Sequence, residues 1–165
     1  PIDAARPGRG FMFDGRIAED FKLTTGTFVS VGPLRAKVIA AGDPCVQDVA
    51  VTGIDRDEVG LLIFPRLDSC RALAGASAAA AAADVLGSPA VQDFFQGLVD
   101  HLWASGTGSA SRVPRAAVLA DPPSIDLGEV TDKGSINQRA VLTHRDALVQ
   151  QMYRGTAPLL FLPRR

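Results

Sequence analysis

The amino-acid sequence predicts an α+β domain in which a small antiparallel or mixed sheet is flanked by helices and preceded by a β-hairpin. Its 165 residues, 47% of them hydrophobic, suffice for one globular core and exclude a chain that is mainly disordered. Two strand-like segments are neighbours in sequence, at residues 46–54 and 59–64, and an amphipathic helical pattern follows Ser88. Strands and helices that do not alternate strictly along the chain are typical of the α+β class.

The first third of the chain predicts a hairpin followed by a helix. Residues 1–14 carry prolines and glycines among charges and predict an irregular lead-in with a short strand-like end. Residues 20–30 are strand-like on either side of a tight turn at residues 24–26, which predicts the hairpin. Gly32-Pro33 is expected to separate it from a helix that stops at Gly42.

The middle third predicts a strand pair followed by two helices. Residues 46–54 alternate and residues 59–64 are apolar throughout, so we expect them to pair across the polar turn between them. The alanine-rich residues 71–86 favour a helix because alanine has the highest helix propensity. Ser88-Pro89 is a typical helix start, and the apolar residues after it share one face.

The last third predicts one more strand and one more helix. Residues 115–120 form a short apolar strand, and Pro122-Pro123 begins a long extended loop. A final helix is expected over residues 136–153, followed by a tail with an apolar centre.

Composition excludes several classes of function. The chain carries 17 basic and 18 acidic residues, a formal charge of -1, so bulk charge predicts no nucleic-acid partner and no acidic membrane. No run of about 18 apolar residues predicts a membrane span. Cys45 and Cys70 lack the spacing of a zinc site, so we expect no metal, two buried thiols and a cytoplasmic protein. His101 and His144 sit among charges and are expected to be solvated or capping residues.

Two segments are less easily explained as scaffold. The first, GRIAEDFKLTTGTFV, places a tight turn at Gly26, where the absence of a Cβ lets the backbone approach a ligand. The second, GEVTDKGSINQR, carries Lys133 in a polar loop before a helix, where a lysine can neutralise a carboxylate and a phosphate together. Taken alone, these are also compatible with an ordinary hairpin and a surface turn.

Together with VQDVAVTGIDRDEVGLLIFP, the two segments resemble the C-terminal domain of the adenylate-forming acyl-CoA synthetase superfamily, and most closely that of feruloyl-CoA synthases. The resemblance covers most of residues 11–142. It implies the mobile lid of an acid-thiol ligase that joins an aromatic carboxylic acid to AMP and then transfers it to coenzyme A. ATP, with Mg²⁺, would be bound mainly by an N-terminal adenylation domain, without which the lid is inactive. It also implies a lead-in over residues 1–14, a lid over 15–154 and a tail over 155–165.

The resemblance also implies roles for individual residues. Arg16 matches the arginine that approaches the nucleotide ribose and phosphate, and Ala18 stands at the hinge, where many relatives have Asp or Lys. The turn formed by Thr25, Gly26 and Thr27 matches the segment that lines the pantetheine tunnel.

The adenylation lysine has two candidate positions. Relatives place it directly after a glycine, and this position is Ser135 here, two residues beyond Lys133. Either Lys133 acts from an altered loop, or this chain lacks the adenylation lysine. Two other functions remain open: the lid of an enzyme that loads a carrier-protein thiol, and a free-standing module that binds coenzyme A or a protein.

Overall fold

The computed structural model describes residues 19–106, 108 and 111–164, and it confirms the α+β class. The elements follow one another nearly in the predicted order. They are β1 (Phe21–Lys22), β2 (Phe28–Val29), α1 (Val31–Ala41), β3 (Val46–Thr52), β4 (Gly60–Pro65), α2 (Leu67–Ala74), α3 (Ala82–Leu86), α4 (Pro89–Ser105), β5 (Ala116–Val118), α5 (Gln138–His144), α6 (Asp146–Arg154) and β6 (Leu160–Phe161). The strand-like residues 11–14 lie outside the described part of the chain.

A mixed sheet with the strand order β3-β4-β5-β6 forms the centre of the fold. β3 and β4 pair antiparallel, with Val51 opposite Leu61, as the sequence predicts. β5 lies parallel to β4, and β6 lies antiparallel to β5. Every residue of β3 and β4 except Gln47 is buried, because helices cover both faces of the sheet.

Each face of the sheet has its own hydrophobic core. Val51 and Leu61 point to the side covered by α1, α2 and α4. The neighbouring pair Ala50 and Leu62 points to the opposite side, where residues of α5 and α6 pack against it. This explains why residues 59–64 are apolar without alternation: successive side chains enter two different cores.

The start of α4 confirms the capping signal in the sequence. Pro89 is the first helical residue, and the Ser88 hydroxyl accepts a hydrogen bond from the Val91 N–H at 3.4 Å. The predicted boundary before α1 was wrong, because Gly32 and Pro33 lie inside its first turn. A proline is tolerated there, since the first N–H groups of a helix have no intrahelical partner.

The predicted helix over the alanine-rich residues 71–86 was also wrong. The first helix of this region, α2, ends at Gly75, whose φ of 69° is left-handed, and helical structure resumes only at Ala82. The residues between them turn back, and the carbonyl of Ala80 accepts two hydrogen bonds from the Arg71 guanidinium. A glycine C-cap therefore overrides the helix propensity of the alanines.

The final predicted helix consists of two helices. The backbone leaves helical geometry at Arg145 (φ −110°, ψ 25°), which ends α5 and precedes α6. Val141 and Met152, on the two sides of this break, are fully buried. The tail then contributes β6 to the sheet, a strand that the sequence analysis does not predict.

A buried ion pair fixes the long loop between β5 and α5. Glu129 is fully buried, and its carboxylate accepts two hydrogen bonds from the Arg145 guanidinium, at 2.9 and 3.0 Å. It also accepts the Ser124 N–H at 2.8 Å. The remaining Arg145 donors bind the carbonyls of Asp121 and Pro122, at 3.1 and 2.9 Å. The start and the middle of the loop are thus bound to the junction of α5 and α6.

We expect Glu129→Gln to lower the free energy of unfolding by about 3 kcal/mol, because it leaves the partly buried Arg145 guanidinium without a counter-charge. The hydrogen bonds from Arg145 also hold the pKa of the Glu129 carboxyl below its usual range. The ion pair therefore stabilises the protein fully above about pH 4.3 and loses this effect as the pH falls further. Denaturant titrations at pH 7 and in this acid range measure both effects.

Asp100→Asn is the matched control, because Asp100 pairs with Arg164 on the protein surface. We expect a much smaller loss, since exposed ion pairs are screened by solvent. Two results would show that the buried pair does not hold the loop. One is an equal loss of unfolding free energy in the two variants, and the other is an unchanged dependence of this free energy on pH in Glu129→Gln.

Candidate functional site

The first candidate loop is the turn between β1 and β2, which we call the glycine hairpin (residues 21–29). Its turn is closed by the Leu23 N–H, which donates to the Thr27 carbonyl at 2.8 Å, and by the Gly26 N–H, which donates to the Leu23 carbonyl at 2.8 Å. Gly26 has a φ of 89°, and no atom lies within 4 Å of the position that a Cβ would occupy. Gly26 and Thr25 are exposed, so the turn presents bare backbone to the solvent.

The glycine hairpin rests on the turn between β3 and β4. The Thr24 N–H donates to the Arg56 carbonyl at 2.9 Å, and the Thr24 hydroxyl donates to the Asp57 carboxylate. Below them, a Cβ added to Gly53 would come within 2.9 Å of the Phe21 ring, so the two segments are in close contact. The base of the glycine hairpin is therefore held while its tip stays open.

The second candidate loop is a short hairpin around Lys133, which we call the lysine hairpin (residues 130–136). Val130 and Ile136 form a β-bridge, and the Thr131 N–H donates to the Ser135 carbonyl at 2.8 Å. The hydroxyls of Thr131 and Ser135 lie 3.0 Å apart and close the same turn. Among the described residues, none forms a hydrogen bond or ion pair with the exposed Lys133 side chain.

Two buried carboxylates hold the ends of the lysine hairpin. Glu129 immediately precedes it and is bound to Arg145 as described above. At the other end, the Ile136 N–H donates to Asp48 on β3 at 2.9 Å. Gln138, two residues further on, accepts the Val51 N–H at 2.9 Å. The cation at the tip therefore projects from a loop that is fixed on both sides.

The same Asp48 connects the lysine hairpin to the first described residues. Its second oxygen accepts a hydrogen bond from the Arg35 guanidinium at 2.9 Å, and Arg35 also lies 3.6 Å from Glu19. Asp20 accepts the Val31 N–H at 2.8 Å at the start of α1. The chain is thus attached to the body of the domain from Glu19 onward.

The Asp48 contact of the lysine hairpin and the Gly53 contact of the glycine hairpin lie at opposite ends of β3. Asp48 lies near the start of this strand and Gly53 directly follows its end, so their separation along the strand is about 16 Å at about 3.3 Å per residue. A cleft of about 800 Å³ lies beside the far end and is lined by residues from three segments. These are residues 19–21, the turn at residues 52–56, and α5 with α6.

The thiols of the described residues are buried, and these residues form no metal-binding cluster. Cys45 and Cys70 are free and buried, as predicted, and burial raises the pKa of Cys70 to about 12. No group of three or more His, Cys, Asp or Glu residues could hold a metal ion in the described part of the chain. No helix among the described residues has the length and apolar character needed to cross a bilayer.

The structure places the sequence-predicted residues in two sets. Thr25, Gly26 and Thr27 lie together in the glycine hairpin, whereas Lys133 and Ser135 lie together in the lysine hairpin. Arg16 and Ala18 lie outside the described residues.

Sequence reasoning missed the residues that hold these loops. They include Asp48, Glu129 and Arg145. Asp48 binds Ile136, which is 88 residues away in sequence, and Glu129 and Arg145, which bind each other, are 16 residues apart. The only signal in the sequence was the placement of a carboxylate in a predicted strand otherwise rich in apolar residues.

Solved structures of similar fold belong to much longer chains. One is the A domain of carboxylic acid reductase from Segniliparus rugosus in complex with AMP and a co-purified carboxylic acid, with a TM-score of 0.57, 22% identity, and coverage of 86% of this chain and 21% of that chain. Another is the A-PCP didomain of carboxylic acid reductase from Segniliparus rugosus in complex with AMP, with a TM-score of 0.53, 22% identity, and coverage of 82% of this chain and 17% of that chain.

A third is the adenylation domain of a carboxylate reductase from Mycobacterium chelonae, with a TM-score of 0.58, 21% identity, and coverage of 84% of this chain and 20% of that chain. The chain therefore spans about a fifth of the length of these structures. At this level of identity the likeness shows the fold.

A family model that matches the amino-acid sequence shows the family. No curated protein matches the chain. The family model of the AMP-binding enzyme C-terminal domain matches residues 21–157, from the first strand of the glycine hairpin to the residues after α6. Because this match spans most of the sequence, the chain belongs to the AMP-binding enzyme C-terminal domain family.

Proposed function

We propose that this chain is the lid of an ATP-dependent ligase that adenylates a carboxylic acid, releasing pyrophosphate, and then transfers the acyl group to a thiol, releasing AMP. The observation that carries the proposal is the presence of two exposed loops of different chemistry on one body, a bare glycine turn and an exposed lysine on a fixed loop. A lid that rotates can present each loop in turn to one reaction centre in the N-terminal domain.

In the first step, Lys133 supplies a positive charge at the acyl-phosphate centre. Negative charge gathers between the attacking carboxylate and the α-phosphate of ATP, and a fixed cation stabilises it without reorganisation. Ser135 stands at the position that directly follows the glycine of the lysine hairpin, and its hydroxyl binds Thr131. The ATP and its Mg²⁺ are assigned mainly to the N-terminal domain.

In the second step, the glycine hairpin lines the path of the thiol. The exposed backbone of Thr25, Gly26 and Thr27 can bind the amide groups of a pantetheine arm, and the missing Cβ at Gly26 leaves room for it. Phe28 is 53% exposed beside this turn and offers an apolar surface to the same arm.

The hinge of the lid is proposed at Ala18. The attachment of Glu19 to Arg35 and of Asp20 to the start of α1 supports this, since a rigid body that begins at Glu19 must rotate about residues before it. Arg16 would approach the ribose and phosphate from the same segment. We propose that the lid covers residues 15–154 and follows a lead-in over residues 1–14. The tail covers residues 155–165 and is attached to the sheet by β6.

The acceptor thiol is proposed to be coenzyme A and the acid an aromatic one, as in feruloyl-CoA synthases. The amino-acid sequences of residues 15–29 and 128–139 support this choice. The second candidate acceptor is a carrier protein, which is favoured by the similarity of fold to the A-PCP didomain of a carboxylic acid reductase. Both acceptors present a pantetheine thiol, so both fit the glycine hairpin.

We expect Lys133→Ala in the full-length enzyme to slow adenylation by about 100-fold or more, because a preorganised charge is lost from the reaction centre. Carboxylate-dependent exchange of pyrophosphate into ATP measures this step alone. Thiol transfer from a preformed acyl-adenylate should change little.

Ser135→Ala tests the other candidate position in the same assay. A small effect of Ser135→Ala beside a large effect of Lys133→Ala assigns the role to Lys133. If neither change slows the exchange reaction, the assignment of the lysine hairpin to adenylation is wrong.

Gly26→Ala is expected to act on the second step instead. The new Cβ meets no atom of the lid but projects toward the proposed thiol path, so transfer should slow by about tenfold or more, equal to about 1.4 kcal/mol. Exchange of pyrophosphate should stay within about twofold of wild type, a difference below about 0.5 kcal/mol.

Gly75→Ala is the matched control, because Gly75 has a φ of 69°, is equally open and lies at the end of α2. Both substitutions introduce a similar backbone strain of about 1 kcal/mol. A loss of transfer in Gly75→Ala as large as in Gly26→Ala would mean that strain alone, and no ligand contact, explains the effect.

A further inference from the structure

Beneath the glycine hairpin lies an aromatic ring between two arginines, which the proposed chemistry does not use. The Arg56 guanidinium lies 4.4 Å from the centre of the Tyr153 ring, and the Arg115 guanidinium lies 4.8 Å from it. The Tyr153 hydroxyl donates to the Glu58 carbonyl at 2.7 Å and lies 2.9 Å from the Thr52 hydroxyl. The Tyr153 hydroxyl therefore contacts both ends of the turn between β3 and β4.

Arg56 connects this ring to the glycine hairpin. Its carbonyl accepts the Thr24 N–H at 2.9 Å, while its guanidinium covers the Tyr153 ring and donates to Gln150 on α6. One residue thus joins the base of the glycine hairpin to α6. If the guanidinium loses its position on the ring, the Arg56 N–H keeps its hydrogen bond to the Gly53 carbonyl, at 3.0 Å, but the peptide that holds Thr24 loses its connection to α6.

The lysine hairpin has no part in this arrangement. Its ends are held by Glu129 and Asp48, through Arg145 and the Ile136 N–H. The contacts of Glu129 and Asp48 thus include neither Arg56 nor Tyr153.

We propose that Arg56 and Tyr153 are positioning residues for the glycine hairpin, which set the thiol-transfer step without taking part in adenylation. This inference rests on the proposed function and adds to it. Neither residue needs to touch the acyl group or the thiol. Their effect passes through Thr24 to the backbone of the turn at Gly26.

The test uses Arg56→Met and Tyr153→Leu in the full-length enzyme, with pantetheine as the thiol. We expect the KM for pantetheine in acyl transfer to rise about three- to tenfold, the size of effect that loss of a partly buried cation–π contact allows. Exchange of pyrophosphate into ATP should change less than about twofold, a difference below about 0.5 kcal/mol. Arg56→Lys keeps a cation over the ring and should restore most of the lost affinity.

Arg112→Met is the matched control, because Arg112 covers the Trp103 ring at 5.4 Å near the end of α4. It removes the same kind of contact away from both hairpins and should leave both steps unchanged. Equal losses in the two steps for Arg56→Met, or an unchanged KM for pantetheine, would overturn the inference.

A second measurement separates this inference from the proposed function. Amide hydrogen exchange in the same variants should become faster at residues 23–29 and stay unchanged at residues 130–136, whether or not the enzyme transfers acyl groups. If the wild-type enzyme transfers no acyl group to pantetheine, the proposed function fails. An unchanged rate of amide hydrogen exchange at residues 23–29 in the variants would still overturn the positioning role.

Discussion

The placement of a buried carboxylate next to an exposed cation is the constraint on which the rest of this structure depends. Glu129 is fully buried and Lys133 is exposed, yet only three residues separate them. A buried carboxylate must be paired, and Arg145 provides that pairing from the break between α5 and α6. This pair and the Asp48 contact hold the backbone of the loop that carries Lys133 against the rest of the domain.

β3 and the turn after it support both loops. This strand is buried on both faces, and it receives the lysine hairpin through Asp48 near its start. The turn that follows it carries the glycine hairpin through the Arg56 carbonyl. Both loops are therefore supported from one strand, an arrangement that fits the proposed lid, in which one rigid body offers either loop after a rotation.

The sequence was sufficient for those elements whose signals are local. The strand pair formed by β3 and β4, the hairpin at Gly26 and the cap at Ser88 all depend on residues within a few positions of one another. The alanine-rich region was mispredicted because helix propensity was weighed above the glycine that ends α2. The tail strand β6 was missed because its two residues gain their pairing only from β5.

The candidate loops could be found from the sequence, but their supports could not. Gly26 and Lys133 stand in recognisable segments, whereas the partner of Asp48 is 88 residues away and that of Thr52 is 101 residues away. A pattern of single residues does not reveal which distant backbone group a carboxylate binds. Such contacts become visible only when the fold brings the strands and the last two helices together.

The most direct test of this account is a pair of distances measured by spin labels in the full-length enzyme. Lys22→Cys and Asp132→Cys place labels on the two hairpins, and a third site lies on the N-terminal domain; the buried Cys45 and Cys70 should not react. We predict that the distance between the hairpins is the same with the acyl-adenylate and with the thiol, while both distances to the N-terminal domain change. A change between the hairpins, or fixed distances to the N-terminal domain, would contradict a rigid lid that rotates.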